Sequence, residues 1–332
     1  MGVTSIEVAR EAGVSQATVS RVLQESGKVH PDTRARVLAA MARMGYSPNL
    51  LARAMKTHRT DTIGVVVAHL SNPFYPAALD EVGRALSEYP KRMVLWTSNS
   101  AGEDAALQSI RQGLVDGVLF ISGMPETASL RAAVEANLPV VLMNRSVPDL
   151  QGDQVTSDNV RGAAEAAKHL LELGHHRIGF IGSASNASTA NERRVGFETG
   201  LAGGGISISD EMSRVGELSY KLGFASVQEF LSAPQPPTAV FGVNDITAIG
   251  AIEGARALGV RVPEDLSIIG YDDIELASWE SFRLTTVSQP LVEMARKAVQ
   301  LLVERIAEPS RDARHERLTG ELIVRATTTI AP

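Results

Sequence analysis

Cysteine is absent from the 332 residues of the chain. Its absence excludes a disulfide-bonded scaffold, a cysteine-ligated zinc site and thiol catalysis, and it suits a reducing cytoplasm, where we expect the protein to work. The chain also lacks a charged-then-apolar leader after Met1 and any run of about 18 apolar residues. We therefore expect neither secretion nor insertion into a membrane.

Sequence motifs of enzymes are equally scarce. No Lys-Ser/Thr pair follows Gly203-Gly204-Gly205, so this run is not a phosphate-binding loop, and no G-x-S-x-G nucleophile elbow occurs. His175 and His176 are adjacent, and two adjacent side chains do not face one metal ion from a helix or a strand. We predict that the protein is not an enzyme and has no metal site and no cofactor.

Positive charge is concentrated at one end of the chain. The net charge of the whole sequence is -6, but residues 1–60 contain nine Lys and Arg against four Asp and Glu, a net charge of +5. The remaining residues therefore carry -11. A basic N-terminal segment on an acidic body predicts that phosphate groups of a nucleic acid bind to that segment.

The first helical pattern lies between Thr4 and Leu23. Its apolar positions predict two short helices, with Gly13 in the turn between them and Ser15 as the N-cap of the second. This leaves Gln16 and Arg21 facing outward. The pattern is typical of a helix-turn-helix, whose second helix reaches base edges in the major groove. An ordinary helical hairpin with a solvated face would show the same pattern.

A third helix is predicted over 33–44, with Val37, Leu38, Met41 and Ala42 on one face, and a brief helical segment follows before a polar connector. Three stretches then resemble the LacI/GalR family of bacterial transcription regulators: AREAGVSQATVSRVL at 9–23, RVLAAMARMGYSPNLLARAMKT at 36–57 and TIGVVVAHLSNPFY at 62–75. The resemblance continues to the C-terminus. It implies a repressor that binds a palindromic operator as a homodimer and responds to a small metabolite.

From residue 62 onward, short apolar runs alternate with helical segments, which predicts an α/β fold built from βαβ units. The runs are 63–68, 93–97, 118–121 and 140–143, followed by 178–181, 239–242 and 266–270. They are continuous, which indicates parallel sheets buried on both faces. We expect an all-α helix-turn-helix head followed by two doubly wound lobes of the periplasmic-binding-protein type.

Domain boundaries follow partly from this pattern and partly from the resemblance. The DNA-binding domain is expected at 1–46 and a hinge helix with its linker at 47–60. The first lobe is expected at 61–158 and the second at 159–289. The resemblance adds about 290–317 to the first lobe and about 318–330, with a last strand near 318–325, to the second.

Ligands of such sheets bind at the carboxyl ends of the strands, so polar residues after each strand are the candidates for a binding site. Amides, carboxylates, guanidinium groups and aromatic rings suit a polyol or a heterocycle. Any single one could instead cap a loop, but their convergence on one edge of two facing lobes favours a pocket. The candidates are Asn72, Phe74, Tyr75, Asn144, Arg145, Asp158, Thr189, Asn191, Arg193, Asn244, Asp272 and Gln289.

The resemblance implies that Arg193, Asn244 and Asp272 hydrogen-bond the effector. Two positions depart from the family. Leu218 replaces a frequent stacking aromatic, and Ala187 replaces a polar residue of purine-responsive members. These departures favour a sugar or sugar derivative over a purine. Trp279 either restores a stacking surface or lies on the surface of the lobe.

The helix that begins at Gln16 is expected to read the DNA sequence. Gln16 suits adenine, Arg21 suits guanine or a phosphate, and Ala17 suits the thymine methyl group. Further contacts are expected from polar residues around this helix and the start of the first one, with Thr4 and Ser5 expected at a cap and at phosphates. These residues are Thr4, Ser5, Ser15, Thr18 and Ser20.

The segment 47–55 is too short to remain helical alone, so it should form a hinge helix only when the dimer and DNA hold it. The resemblance implies a leucine wedge in the minor groove, and this chain has Met55 at that position. Packing of Met55 against Leu51 is the alternative. The same segment is expected to contact DNA through Asn49, Ala52 and Lys56.

A two-lobed solute-binding protein, or a sugar-binding module without a DNA role, is the competing class. A solute-binding protein of transport would need an export signal and has no use for a basic N-terminal head. The head therefore favours the regulator.

Overall fold

The computed structural model describes residues 3–23, 29–47, 54, 59–68, 70–97, 100–122, 128–185 and 187–332. The chain forms two compact units, Met1–Thr60 and Asp61–Pro332. Along the described stretches, no helix combines the length and the apolar character needed to cross a membrane.

The first unit contains helices α1 (Ser5–Glu11), α2 (Gln16–Leu23) and α3 (Pro31–Met44). Thr4 and Glu7 form a reciprocal capping box at the start of α1, which satisfies backbone N–H groups that the first turn leaves open. Gly13 has a φ of +64° in the turn before α2, a conformation that glycine adopts without strain. Ile6 is 56% exposed and Leu38 is 49% exposed, so Leu38 does not share the buried face of α3 with Val37, and Ile6 lies outside the apolar face of α1. The small core of this unit consists of Val8, Ala9, Ala12, Val19, Val22, Val37 and Ala40.

The second unit alternates strands and helices. In chain order its elements are β1 (Thr62–Val67), α4 (Phe74–Ser87), β2 (Arg92–Thr97), α5 (Ser100–Arg111), β3 (Gly117–Phe120), α6 (Ala128–Glu135), β4 (Val140–Met143), β5 (Asp153–Ser157), α7 (Asn159–Glu172), β6 (Ile178–Ser183), α8 (Ser188–Ala202), β7 (Ser213–Gly216), α9 (Tyr220–Leu231), β8 (Ala239–Gly242), α10 (Asp245–Ala257), β9 (Ser267–Asp272), α11 (Glu275–Ser278), β10 (Thr285–Ser288), α12 (Leu291–Ala307), β11 (His315–Leu318) and β12 (Leu322–Ile323).

These strands form two six-stranded sheets, one in each lobe. The order is β11-β5-β4-β3-β1-β2 in the first lobe and β12-β10-β9-β8-β6-β7 in the second. Every pair is parallel except β10 with β12. Strands β1, β3 and β4 are buried along their whole length. The predicted fold class, two doubly wound parallel-sheet lobes after a helical head, is confirmed.

The chain crosses between the lobes three times. It crosses after β5, after β10 and between β11 and β12. Helix α12 packs on α4, β3, β4 and β5 of the first lobe. The strand that we expected near 318–325 is divided: β11 ends at Leu318 at the edge of the first sheet, and the two-residue β12 joins the second sheet. Three adjacent crossings form the kind of connection at which two lobes rotate.

Candidate functional site

A cavity of about 740 Å³ lies between the lobes at the carboxyl ends of the strands. This is where ligands of open α/β sheets bind, and its volume falls in the range of small-molecule sites, roughly 300 to 1,000 Å³. The structure brings eleven of the sequence-predicted residues to it: Asn72, Phe74, Tyr75, Asn144, Arg145, Thr189, Arg193, Leu218, Asn244, Asp272 and Gln289.

Three predicted residues do not line the cavity. Asp158 accepts a hydrogen bond from the backbone N–H of Arg161 at 3.2 Å and so caps α7. Asn191 is exposed on α8. Trp279 follows α11 and is 50% exposed, which favours the alternative that it lies on the surface of the lobe.

A buried ion pair forms part of the cavity wall. Arg193 Nη2 lies 2.9 Å from Asp272 Oδ1, and each side chain is only 6% exposed. Arg193 also donates to Asn159 Oδ1 and to the carbonyl oxygen of Val243, both at 2.9 Å. Its guanidinium carbon lies 3.8 Å from the centre of the Tyr271 ring. These contacts hold a planar set of donors in one orientation.

Asp272 is held from the other side as well, because Gln289 Nε2 donates to Asp272 Oδ1 at 2.7 Å. Burial raises the pKa of Asp272, while Arg193 and Gln289 favour its ionised form. Asp272 has a φ of +119°, an uncommon backbone conformation for a residue with a side chain. Such backbone strain is often found at binding sites.

Buried polar atoms around the cavity point to a ligand. Among the described residues, no hydrogen-bond partner is present for Asn144 Oδ1, Arg145 Nε or Gln289 Oε1. Asn144 is 4% exposed and has a φ of +71°. Because a buried polar atom without a partner costs about 1 to 3 kcal/mol, such atoms are normally satisfied by a protein group, a water or a ligand. Asn144 and Arg145 follow β4 of the first lobe, and Gln289 follows β10 of the second, so both lobes offer such atoms.

A second buried carboxyl lies beneath the ion pair. Asp245, the first residue of α10, accepts hydrogen bonds from Thr286 Oγ1 at 2.5 Å and from the backbone N–H of Ile274 at 2.8 Å. Burial, and then the negative charge of nearby Asp272, raise the pKa of Asp245 to about 7. Asp245 therefore ties α10 to β10 and to the segment after β9, which adjoin the cavity residues Gln289 and Asp272.

Asn244 has two roles in this structure. It is the N-cap of α10, and its Oδ1 accepts from the backbone N–H of Thr247 at 3.0 Å. It also lines the cavity. The alternative that a lone Asn after a strand caps a loop is thus correct for Asn244, and it does not exclude a contact with a ligand.

Sequence reasoning missed one wall of the cavity. The end of β6 and the loop after it contribute Ser183, Ala184 and Ser185, and the segment from the end of β7 to the start of α9 contributes Gly216, Glu217, Ser219 and Tyr220. Ser71, Ala187, Ala190, Val243 and Ile246 complete the lining. Strand β7 was not predicted, because its sequence Ser-Arg-Val-Gly contains a single large apolar residue. The aromatic ring of Tyr220, two residues after Leu218, was the available signal.

The candidate nucleic-acid interface lies on α2 and at the start of α1. Gln16, Ala17 and Arg21 are exposed on α2, whereas Val19 and Val22 are buried. Gln16 Nε2 donates to Ser5 Oγ at 3.0 Å, which links the two helices across the face. The hydroxyls of Ser15 and Thr18 lie 2.9 Å apart.

The structure also shows the positions of Thr4 and Ser20, two further residues of this unit that we expect to contact DNA. Thr4 is committed to the capping box of α1, as its expected role at a cap requires. Ser20 is half-buried. The predicted contacts Asn49, Ala52, Met55 and Lys56, and most of the hinge segment, lie outside the described residues. Across the part of the chain that the structure describes, no group of three or more His, Cys, Asp or Glu side chains is arranged to hold a metal ion.

Comparison with known proteins gives two family matches. Residues 6–49 match the bacterial regulatory proteins of the lacI family, and residues 167–328 match a periplasmic binding protein-like domain. The chain is 35% identical over 329 residues to the HTH-type transcriptional regulator RegA of Clostridium saccharobutylicum, covering 98% of this chain and 99% of that protein. This similarity includes the DNA-binding segment as well as both lobes.

Solved structures that are similar over nearly the whole chain include two with bound ligands. The complex of the transcriptional regulator CelR with cellobiose is 34% identical with a TM-score of 0.74, covering 98% of this chain and 99% of that one. The Lac repressor dimer bound to operator and the anti-inducer ONPF is 26% identical with a TM-score of 0.88, covering 99% of this chain and 100% of that one.

Proposed function

The chain belongs to the LacI family of bacterial regulatory proteins, which are DNA-binding transcriptional regulators, and on this premise we propose that it represses transcription as a homodimer on a palindromic operator. A sugar or sugar derivative in the cavity between the lobes switches it. The observation that carries this proposal is the cavity itself, where residues of both lobes converge around a fixed guanidinium group and unpartnered buried polar atoms.

A polyhydroxylated ligand fits the chemistry of this cavity. The hydroxyl groups of a sugar both donate and accept hydrogen bonds, and the cavity offers guanidinium donors, a carboxylate acceptor and amide groups that do both. Phe74 and Tyr75 supply flat apolar surface, with their rings edge to face at 5.4 Å. The cellobiose complex of the similar regulator CelR supports this ligand class.

Switching follows from the position of the cavity. A ligand that contacts both lobes favours one angle of closure, and the three crossings are the segments that change when the lobes rotate. A change in the first lobe then alters the DNA-binding units of the dimer, to which it is covalently linked. Allosteric couplings of this kind are typically about 1 to 3 kcal/mol. We propose that the hinge segment 47–55, with Met55 as a minor-groove wedge, forms part of this link.

The dimer interface is proposed at β2, an edge strand of the first sheet. Met93, Val94 and Leu95 are 36%, 42% and 47% exposed. Consecutive strand residues point to opposite faces, so apolar side chains on both faces of this edge strand are at least 36% exposed. An exposed apolar edge strand is normally covered by another chain, and a twofold interface places the same strand of a second copy beside it.

We predict that Leu95→Glu shifts the protein from dimer to monomer, because a carboxylate would be buried without a partner in the interface. Sedimentation velocity at micromolar concentration measures this. Val215→Glu is the matched control, since Val215 lies on β7, the corresponding edge strand of the second lobe, and is 50% exposed. A monomeric wild-type protein, or equal dissociation of both variants, would contradict the proposed interface.

Sequence readout is assigned to Gln16. We predict that Gln16→Ala changes which operator half-site is preferred, because a bidentate amide contact to adenine discriminates by about 1 to 3 kcal/mol. Arg34 is a basic residue of α3 in the positively charged first unit, and we propose that it contacts phosphate. Arg34→Ala should therefore weaken binding to all operator variants alike. Competition binding against a set of single-base operator variants measures both. An unchanged ranking of operators for Gln16→Ala would show that the assignment is wrong.

The effector is tested with a thermal-shift screen of sugars, sugar phosphates, sugar acids, nucleosides and purines. A ligand at about a hundred times its dissociation constant stabilises the folded state by roughly 2.7 kcal/mol, which such a screen detects. Operator binding is then measured with and without the compound found. A sugar that stabilises the protein and changes operator affinity supports the proposal, and a purine as the sole hit overturns the ligand class.

A further inference from the structure

The cavity wall that was not predicted from sequence lies at the ends of two neighbouring strands of the second sheet. Ser183 at the end of β6 is paired in register with Gly216 at the end of β7, so the two loops after these strands lie side by side. Both contribute to the cavity lining. Strand β7 is the edge strand, on the side of the sheet away from β10. This wall is therefore the end of the cavity farthest from Gln289.

The cavity is long in the direction that runs across the strands of the second sheet. Its lining follows the carboxyl ends of β10, β9, β8, β6 and β7, which are successive strands of the sheet. Five neighbouring strands span four intervals of about 4.8 Å, or roughly 19 Å in all. One monosaccharide ring occupies only part of such a length. Space remains for a second ring.

The two ends of the cavity differ in chemistry. The end near β8, β9 and β10, which we call the inner subsite, contains Arg193, Asn244, Asp272 and Gln289, all of them buried or nearly so. The end near β6 and β7, which we call the outer subsite, contains Ser185, Glu217, Leu218 and Tyr220. The inner subsite has the fixed, charged groups that orient a ligand, and the outer subsite is more open.

Tyr220 is the largest side chain of the outer subsite. It is 42% exposed and packs against Phe224 with ring centroids 6.0 Å apart and an interplanar angle of 31°. Its backbone is held closely against α10, because a Cβ atom at Gly250 would overlap the Tyr220 carbonyl oxygen. The ring is therefore supported by Phe224 of α9, and the backbone that carries it is held against α10.

Leu218 does not present a flat ring to the cavity as Tyr220 does. Its side chain is half-buried and packs on the core of the second lobe. Leu218 offers an aliphatic surface to the same part of the cavity, whereas a flat aromatic ring such as that of Tyr220 matches the C–H face of a pyranose. Glu217, which is exposed beside them, offers a carboxylate to hydroxyl groups.

We propose that the effector is a two-ring saccharide whose second ring binds in the outer subsite, with its face on Tyr220 and its hydroxyl groups donating to Glu217. This proposal rests on the proposed function, because the first ring occupies the inner subsite of the same cavity. Tyr220 is then the residue that selects a disaccharide over a monosaccharide.

Isothermal titration calorimetry of the full chain tests this with cellobiose, lactose and maltose and with the monosaccharides glucose and galactose. We expect at least one disaccharide to bind about tenfold or more tightly than either of its component monosaccharides. Tyr220→Ala should weaken that disaccharide by about tenfold and leave monosaccharide affinity within about twofold, while Tyr220→Phe retains the wild-type affinity. Trp279→Ala is the matched control, since it removes an exposed aromatic ring of the same lobe outside the cavity.

The outcomes separate the two proposals. Monosaccharides that bind as tightly as disaccharides, or a Tyr220→Ala variant that binds disaccharide as the wild type does, would overturn the outer subsite and leave the sugar effector standing. No binding of any of the five sugars would overturn the two-ring ligand, and the thermal-shift screen of sugar phosphates, sugar acids and purines would then decide the sugar effector. Operator binding, which needs no sugar, would still report on the DNA-binding function.

Discussion

Replacing Arg193 with methionine is expected to abolish effector binding and to lower the free energy of unfolding by about 3 to 5 kcal/mol. The reason is that Asp272 would remain buried without the cation that lies 2.9 Å from it. Asn159 Oδ1 and the Val243 carbonyl oxygen would each lose a donor as well. Removing one partner of a buried pair costs far more than the pair contributes in net stability.

Urea unfolding followed by circular dichroism measures the loss of stability, and calorimetry measures effector binding. Arg194→Met is the matched control, because the neighbouring Arg194 forms a surface pair with Glu198 and is 47% exposed. Such a pair contributes only about 0 to 1 kcal/mol. Adding Asp272→Asn to Arg193→Met should recover part of the stability, since it removes the buried charge. Equal effects of Arg193→Met and Arg194→Met would contradict the role of the buried pair.

Replacing Gly223 with alanine is the second change for which we expect a large effect. A Cβ atom there would overlap the carbonyl oxygen of Thr247 and lie 3.0 Å from the backbone nitrogen of Ala251. Helices α9 and α10 would have to move apart, and overpacking of this kind costs about 3 kcal/mol. The same movement would separate Tyr220 from Asn244, the two cavity residues at the ends of these helices, so affinity for the effector should fall too.

Gly83→Ala is the control for this prediction. Gly83 also lies inside a helix, α4, but among the described residues no atom other than its own helix backbone and chain neighbours lies within 4 Å of a Cβ built on it. Alanine in place of an interior helix glycine should therefore stabilise the protein by roughly 0.5 to 1 kcal/mol. Thermal unfolding of the two variants gives the comparison. A Gly223→Ala variant as stable as Gly83→Ala would show that the helix contact is not tight.

The strands that could be predicted from sequence are those with continuous apolar runs. The bounds predicted for β4 and β8 agree with the structure, because Val140–Met143 and Ala239–Gly242 are buried on both faces of their sheets. Strand β5 could not be predicted, since Asp153–Ser157 reads DQVTS although it is fully buried. Its burial depends on tertiary contacts: Asp153 accepts from Arg305 and from Arg311, which are distant in sequence.

The residues of the candidate site also divide into those that could be predicted from sequence and those that could not. Residues after predictable strands, such as Asn144 and Asp272, were placed correctly at the sheet edge by the general rule for α/β folds. Glu217 and Tyr220 follow a strand that has no sequence signal, so of the residues on this side of the cavity only Leu218 was predicted. The partners of Arg193 were also not predictable, because Asn159 and Val243 come from different elements.

Selection of binding sites from a randomised DNA library by the purified full chain tests the central claim, sequence-specific operator recognition by a dimer, most directly. We predict enrichment of a sequence with twofold symmetry, because a symmetric dimer presents the same helix α2 to each half-site. We also predict that the disaccharide found by calorimetry changes the affinity for this sequence. Enrichment of no common sequence, or of one without twofold symmetry, would contradict the account.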